Sequence, residues 1–229
     1  MTDSIGRMNA TETIEINDLT REFHIPELQS IKSSRKPTTM ELTSYELEAT
    51  YKHMAIPKQD KDAFLTAGIS NWQNLHLIDG TMNVYYQNAF IGQTFLNTRN
   101  IEDTLKLSLG RVQQVLVTRT KKIDESKKRL IGGTTKETLS YEIVVKNNSN
   151  KAIEIDLYDQ IPIAQDSEIK VDIIEISDAN LNELNGQLSW YLKLEPNTSK
   201  RIVITFSVSY PKNQDIPLRQ TREINCPTF

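Results

Sequence analysis

The alternation of apolar and polar residues predicts an all-β protein, and three observations carry that expectation. Leu188, Trp190, Leu192 and Leu194 alternate with Ser189, Tyr191 and Lys193; after Glu195-Pro196-Asn197-Thr198-Ser199, the residues Ile202, Ile204, Phe206 and Val208 alternate with Val203, Thr205 and Ser207. The same pattern precedes it, with Tyr141, Ile143 and Val145, the turn Asn147-Asn148-Ser149-Asn150, and Ile153, Ile155 and Leu157. Finally, only Asp178–Leu184 has a briefly helical look. Period two with one apolar side marks strands buried on one face, and two such runs around turn residues read as a hairpin.

The remaining elements follow in order. Ile14 and Ile16, then Phe23 and Ile25 before Pro26, read as one or two short edge strands. Ser30–Thr39, with Lys32, Arg35, Lys36 and Pro37, reads as a solvated loop. Tyr45, Leu47, Ala49 and Tyr51 mark a half-exposed strand ended by Pro57, and Phe64–Ile69 a second one, since Gly68 weakens a helix there. Asp79-Gly80 signals a turn before a hairpin made of Met82, Val84 and Tyr86, the turn Gln87-Asn88, and Phe90, Ile91, Phe95 and Leu96. Leu105–Leu109 and Gln113–Thr120 read as two strands around Gly110, Lys121–Arg129 as a charged loop, Gly132-Gly133 as a turn, and Ile169–Ile173 as a strand.

Six strands counted between Arg111 and Pro211 suit an immunoglobulin-like or fibronectin-like β-sandwich over 111–212. Residues 1–110 would form a second β-rich unit, with 213–229 as a polar tail. Trp190 is expected in the core of the sandwich.

Of 229 residues, 38% are hydrophobic, enough for a core, and the net charge of −3 gives no field that would gather nucleic acid or an anionic membrane. Met1–Ala10 lacks the basic and apolar regions of a signal peptide, and no window approaches the roughly 18 apolar residues that span a bilayer. Cys226 is the only cysteine, so no internal disulfide forms and the redox compartment stays open.

Polar residues offer little chemistry. His24, His53 and His76 are scattered, without Cys or Glu at ligand spacing, so neither a metal nor a cofactor is expected. Nucleophile elbows and phosphate-binding glycine motifs are absent. Asp156, Asp159, Asp166, Glu168 and Asp172 cluster in sequence; Asp156 and Asp172 fall on outward strand positions, whereas Asp159 before Ile161-Pro162 suits a turn cap. A hydrolase would need a facing pair, with Asp159 or Glu168 as its candidates. The basic run Arg119, Lys121, Lys122, Lys127, Lys128 and Arg129 has no interleaved aromatics for stacking on bases. Tyr85, Tyr86 and Phe90 flank a turn and could form a sugar-stacking surface, although aromatics are also simply good strand formers.

Several short words occur in a fixed order: Asn71-Trp72, Leu75-His76-Leu77-Ile78-Asp79-Gly80, Asn83-Val84-Tyr85, Phe90-Ile91-Gly92, Asp103-Thr104-Leu105, Leu107-Ser108-Leu109-Gly110, Tyr141–Asn147, Asp159-Gln160-Ile161-Pro162, Trp190 and Tyr210-Pro211-Lys212. In that order, over about Tyr45–Pro211, the chain resembles the C-terminal region of the mucoidy inhibitor A family, itself a domain of unknown function. The resemblance implies a longer bacterial protein with a secretion signal and a coiled coil ahead of this region, a periplasmic or cell-envelope setting, and a link to exopolysaccharide production. It carries over no catalytic residues. Where relatives place an Asp after Ser108-Leu109-Gly110-Arg111, Val112 stands here.

The expectation is therefore a non-enzymatic interaction or scaffold module, whose partners are unknown but would include envelope proteins or polysaccharide. The alternatives are a carbohydrate-binding module on Tyr85, Tyr86 and Phe90, and a carboxylate-dependent hydrolase.

Overall fold

The computed structural model describes residues 14–17, 20–23, 33, 39, 41–99, 103–164 and 166–212. His24, Cys226 and the tail 213–229 lie outside them, as does most of the Ser30–Thr39 loop. The chain divides into two compact units, Met1–Leu47 and Glu48–Phe229. In the first, β1 (Ile14–Asn17) and β2 (Thr20–Phe23) pair antiparallel, with Ile14 opposite Phe23.

The second unit contains β3 (Ala49–Ala55), β4 (Asp62–Ser70), a 3-10 turn (Trp72–Leu75), β5 (Gly80–Tyr86), β6 (Ala89–Leu96), β7 (Thr104–Lys121), β8 (Lys127–Ile131), β9 (Thr134–Asn147), β10 (Ile153–Gln160), β11 (Lys170–Glu175), β12 (Asn180–Asn182), β13 (Gln187–Leu194) and β14 (Ser199–Pro211). The protein is all-β. Except for the two-stranded sheet β5–β6, these strands form one hydrogen-bonded path in the order β11-β14-β9-β7-β4-β3-β10-β13-β12, with β8 also on β9.

That path folds over one large core, with a small separate cluster of Met54 and Ile56 against Tyr158. The large cluster takes Leu139, Ile143 and Val145 from β9 and Ile202, Ile204, Phe206 and Val208 from β14, and joins them to Ile153, Ile155 and Leu157 from β10 and Leu188, Trp190 and Leu194 from β13. The two ends of the path thus face each other, as in a sandwich. The fold line is β7. Residues Thr104–Arg111 and, past a break in register, Leu116 pair with β4, and Val115–Lys121 pair with β9. Gly110, at φ +105°, lies near the change of partner, in a conformation a side chain rarely tolerates. Val112 packs against the core at this crossing.

Two pairings expected from the sequence are corrected here. The runs 187–194 and 199–211 are not a hairpin: β13 pairs with β10 and β12, and β14 with β9 and β11. Likewise β9 and β10 are not neighbours, since β10 pairs with β13 and, in parallel, with β3. Both turns are arches that carry the chain from one layer to the other. Alternation cannot separate the two cases, because strands facing across a core carry the same inward apolar row as strands side by side. Asn147, fully buried, holds both arches: its Nδ2 donates to Lys151 O (2.8 Å), Leu194 O (3.2 Å) and Glu195 O (3.1 Å), and its Oδ1 accepts from Ser149 N (2.9 Å).

Smaller corrections follow from local chemistry. Asp178–Leu184 is not helical; it holds the short strand β12 and a turn in which Asn182 Oδ1 accepts from Leu184 N at 3.0 Å. Lys127–Arg129, read as part of a loop, belongs to strand β8. Charged side chains suit such a strand, because they keep an edge from pairing with other chains. Strand β3 begins only at Ala49. The runs 105–109 and 113–120 are one strand, β7, which passes through the 110/111 position where the sequence pattern suggests a division. Trp190 is buried, and its indole N–H donates to Ser177 O at 3.0 Å.

Candidate functional site

The β5–β6 hairpin is where side chains stand in places the fold does not need them. Gln87 (φ 48°) and Asn88 (φ 62°) form its two-residue turn, and positive φ at both positions gives the twist that matches paired strands. The turn fixes the register: Tyr85 lies opposite Phe90, Asn83 opposite Gln93 and Thr81 opposite Phe95, with Ile91 as an extra residue that bulges the second strand. Strict alternation along β5 then separates its faces. Met82, Val84 and Tyr86 turn one way, with Val84 buried; Thr81, Asn83 and Tyr85 turn the other way and are exposed.

The outward face combines aromatic rings and amides. Tyr85, Phe90 and Phe95 are 63%, 56% and 62% exposed, so more than half of each residue meets solvent. Tyr85 and Phe90 meet edge to face, with centroids 5.5 Å apart, a favoured geometry that holds both rings in place. Beside them, Gln93 Nε2 donates to Asn83 Oδ1 at 2.9 Å. Of the residues expected to form a sugar-stacking surface, the structure brings Tyr85 and Phe90 together and turns Tyr86 to the opposite face. Phe95, Asn83 and Gln93 complete the face. The register was their only signal, and it becomes visible once the Gln87-Asn88 turn is placed.

Asp159 lies elsewhere, in a different environment. It continues the inward row Ile153, Ile155 and Leu157 of β10, just as Arg119 continues the inward row Val115 and Val117 of β7. The two inward rows end in opposite charges, and the charges meet. Arg119 Nε donates to Asp159 Oδ2 at 2.7 Å, and the carboxylate is fully buried. The guanidinium sits 3.8 Å above the Tyr141 ring, which stacks in turn on Phe206. Asp159 Oδ1 also accepts from Gln160 N at 2.7 Å, the next residue of the same strand. Lys58 reaches Gln160 Oε1 at 3.4 Å, and burial pushes its ammonium pKa down, against the pull of Asp159.

Around this seam the chain is locked. Ile161 N donates to Gly186 O at 2.9 Å, and Gly186, at φ +71°, comes so close that a Cβ there would stand 2.3 Å from Ile161 O.

The other candidates disperse. Glu168 is exposed, and Asp166 Oδ1 accepts from its backbone N at 2.9 Å. Asp172 pairs with Lys170 at 3.2 Å, and the Lys170 bond holds its carboxyl below the usual range. Asp156 is half-buried at 4.0 Å from Lys52, and burial raises its carboxyl pKa. His53 Nδ1 bonds to Glu154 O at 3.2 Å, and His76 ends the 3-10 turn in a left-handed conformation. Among the described residues, no group of three or more His, Cys, Asp or Glu side chains is placed to hold a metal ion, and no helix is long and apolar enough to cross a membrane.

A family model described as "Domain of unknown function (DUF4139)" matches residues 4–212, most of the chain. The chain belongs to the DUF4139 family. No curated protein matches it. Membership assigns no chemistry, so the interpretation of this DUF4139 chain rests on its own geometry. Within it, the hairpin face carries three exposed rings on one side, and the seam carries charges satisfied from within.

Proposed function

We propose that this chain is a non-enzymatic interaction module of a cell-envelope protein and that the outward face of β5–β6 is its contact surface. The carrying observation is the solvent-exposed set Tyr85, Phe90 and Phe95 on a hairpin whose opposite face, with Val84 and Leu96, is the buried one. Exposed aromatics are the residues that most often dominate binding energy once a partner desolvates them. The resemblance to the mucoidy inhibitor A family supports the envelope setting and a role linked to exopolysaccharide. Asp159, the leading carboxylate for hydrolysis, is committed to Arg119 and to a backbone N–H, which favours a structural role for it.

Site-specific photo-crosslinking in the native cells tests the surface. A crosslinker in place of Phe95 should give adducts with another macromolecule in the envelope fraction, and one in place of Tyr191, an exposed aromatic on β13, should give none. Adducts from Tyr191 alone would overturn the assignment of the face. Hydrolase activity lost in Glu168→Gln would overturn the non-enzymatic reading.

A further inference from the structure

The hairpin stands out for what it lacks. From Gly80 to Leu96 there is no Asp, Glu, Lys, Arg or His, in a chain of which 25% is charged, so its contact face is electrostatically neutral. That argues against phosphate backbones, anionic headgroups and acidic or basic peptides, each of which is bound through opposite charge. What the face offers instead is ring surface and amides. With Gln93 Nε2 bonded to Asn83 Oδ1, the exposed pair still has Asn83 Nδ2 as a donor and Gln93 Oε1 as an acceptor. A donor beside an acceptor matches two adjacent hydroxyl groups, each of which both gives and takes a hydrogen bond. Rings flank this pair on both sides: Phe95, opposite Thr81, at one end, and Tyr85 with Phe90 at the other. From Thr81 to Tyr85 the strand covers roughly 13 Å. Aromatic faces at that spacing suit the C–H faces of sugar rings that are not immediate neighbours along a chain, and the amide pair suits the hydroxyls between them.

We infer that this face binds a neutral polysaccharide, with Tyr85, Phe90 and Phe95 stacking on sugar rings and the Asn83–Gln93 pair bonding to vicinal hydroxyls. The inference rests on the hairpin being the contact surface and names its ligand. Neutrality narrows the occupant to an uncharged ligand, and rings on both sides of an amide donor and acceptor match a run of sugar rings with hydroxyls between them.

Native gels cast with single soluble polysaccharides test it on the full chain. Mixed-linkage β-glucan, xyloglucan, galactomannan and dextran serve as neutral probes, and alginate as an anionic one. At least one neutral polymer should retard the chain, and added salt should leave the retardation unchanged. Phe95→Ala and Tyr85→Ala should each weaken binding roughly tenfold, the loss of one stacked ring. Gln93→Leu should weaken it by a similar factor, and Tyr191→Ala should leave it at the wild-type level. Each variant is compared well below its own thermal midpoint, so misfolding is not read as lost binding. Retardation by alginate alone, abolished by salt, would overturn the proposal, as would binding that survives a combined Tyr85→Ala and Phe95→Ala change. If no polysaccharide retards the chain while Phe95 still crosslinks to a protein, the glycan is wrong and the contact surface stands; if Phe95 crosslinks to nothing as well, both fall.

Discussion

The β5–β6 hairpin holds Tyr85, Phe90 and Phe95 out of the fold, whereas the seam between β7 and β10 holds Arg119 and Asp159 inside it. Each inverts the usual rule that apolar groups are buried and charges exposed. The inversion in the seam is compensated within the molecule: the carboxylate has its guanidinium and a backbone N–H, and the guanidinium has a ring beneath it. The hairpin offers its outward rings only the edge-to-face contact of Tyr85 with Phe90, and each ring forgoes part of the roughly 1.5 to 3 kcal/mol that full burial contributes. A departure that the fold satisfies serves the fold. One left unsatisfied is where the proposed ligand would act.

The sharpest way to break this contrast is to remove half of the buried pair. Arg119→Met should cost about 3–5 kcal/mol, because it leaves Asp159 buried without its counter-charge. Combining it with Asp159→Leu should restore most of that loss, since replacing both charges with apolar groups leaves no buried charge unpaired. Urea denaturation of both singles and the double checks it. A double variant as unstable as Arg119→Met would mean the seam does more than satisfy itself. Next in size is Gly186→Ala. Positive φ and the Ile161 carbonyl together should cost at least about 2 kcal/mol, and a thermal midpoint within a degree or so of wild type would show that the turn yields.

How much of this was legible in the sequence differs between the two regions, and for physical reasons. The hairpin was legible as a hairpin, because Gln87-Asn88 interrupts two β-favouring runs. Its orientation was not, since Met82, Val84 and Tyr86 on one face are about as apolar as Tyr85, Phe90 and Phe95 on the other. The seam was written in the sequence more openly: Val115-x-Val117-x-Arg119 and Ile155-x-Leu157-x-Asp159 each end an inward row on a charge. The missing piece was long-range pairing. Both charged ends are read correctly only once β9→β10 and β13→β14 are known to be arches, and local alternation is identical for arches and hairpins.

Acidity should separate the regions further. Burial lowers the His53 pKa from its ordinary 6.5, against the bond to Glu154 O. A histidine with a depressed folded-state pKa favours the fold fully above pH 6.5 and loses that contribution as pH falls through the lowered value. Asp156 has the opposite sign, because its carboxyl pKa is raised by burial and protonation relieves a cost. The difference between wild type and His53→Phe therefore isolates the histidine: wild type should lose more stability between pH 7 and pH 5 than the variant. Equal losses, measured by thermal midpoint, would mean His53 titrates as in the unfolded chain. Polysaccharide retardation at the hairpin should stay constant over the same range while the protein remains folded, since the face carries no Asp, Glu, His, Lys or Arg.

The smallest expected effect is the most telling for the hairpin. Phe95→Ser should change folding stability by no more than about 0.5 kcal/mol, the usual range for a surface position without structural duties. Phe95 suits this better than Tyr85, whose edge-to-face contact with Phe90 adds about 0.5–1.5 kcal/mol to the hairpin itself. The measurement is a urea midpoint of Phe95→Ser against wild type at neutral pH. A loss above about 2 kcal/mol would place the ring among groups the fold needs, and its exposure would then no longer argue for a ligand. An unchanged midpoint combined with lost retardation would mean that the fold bears this ring for something outside itself.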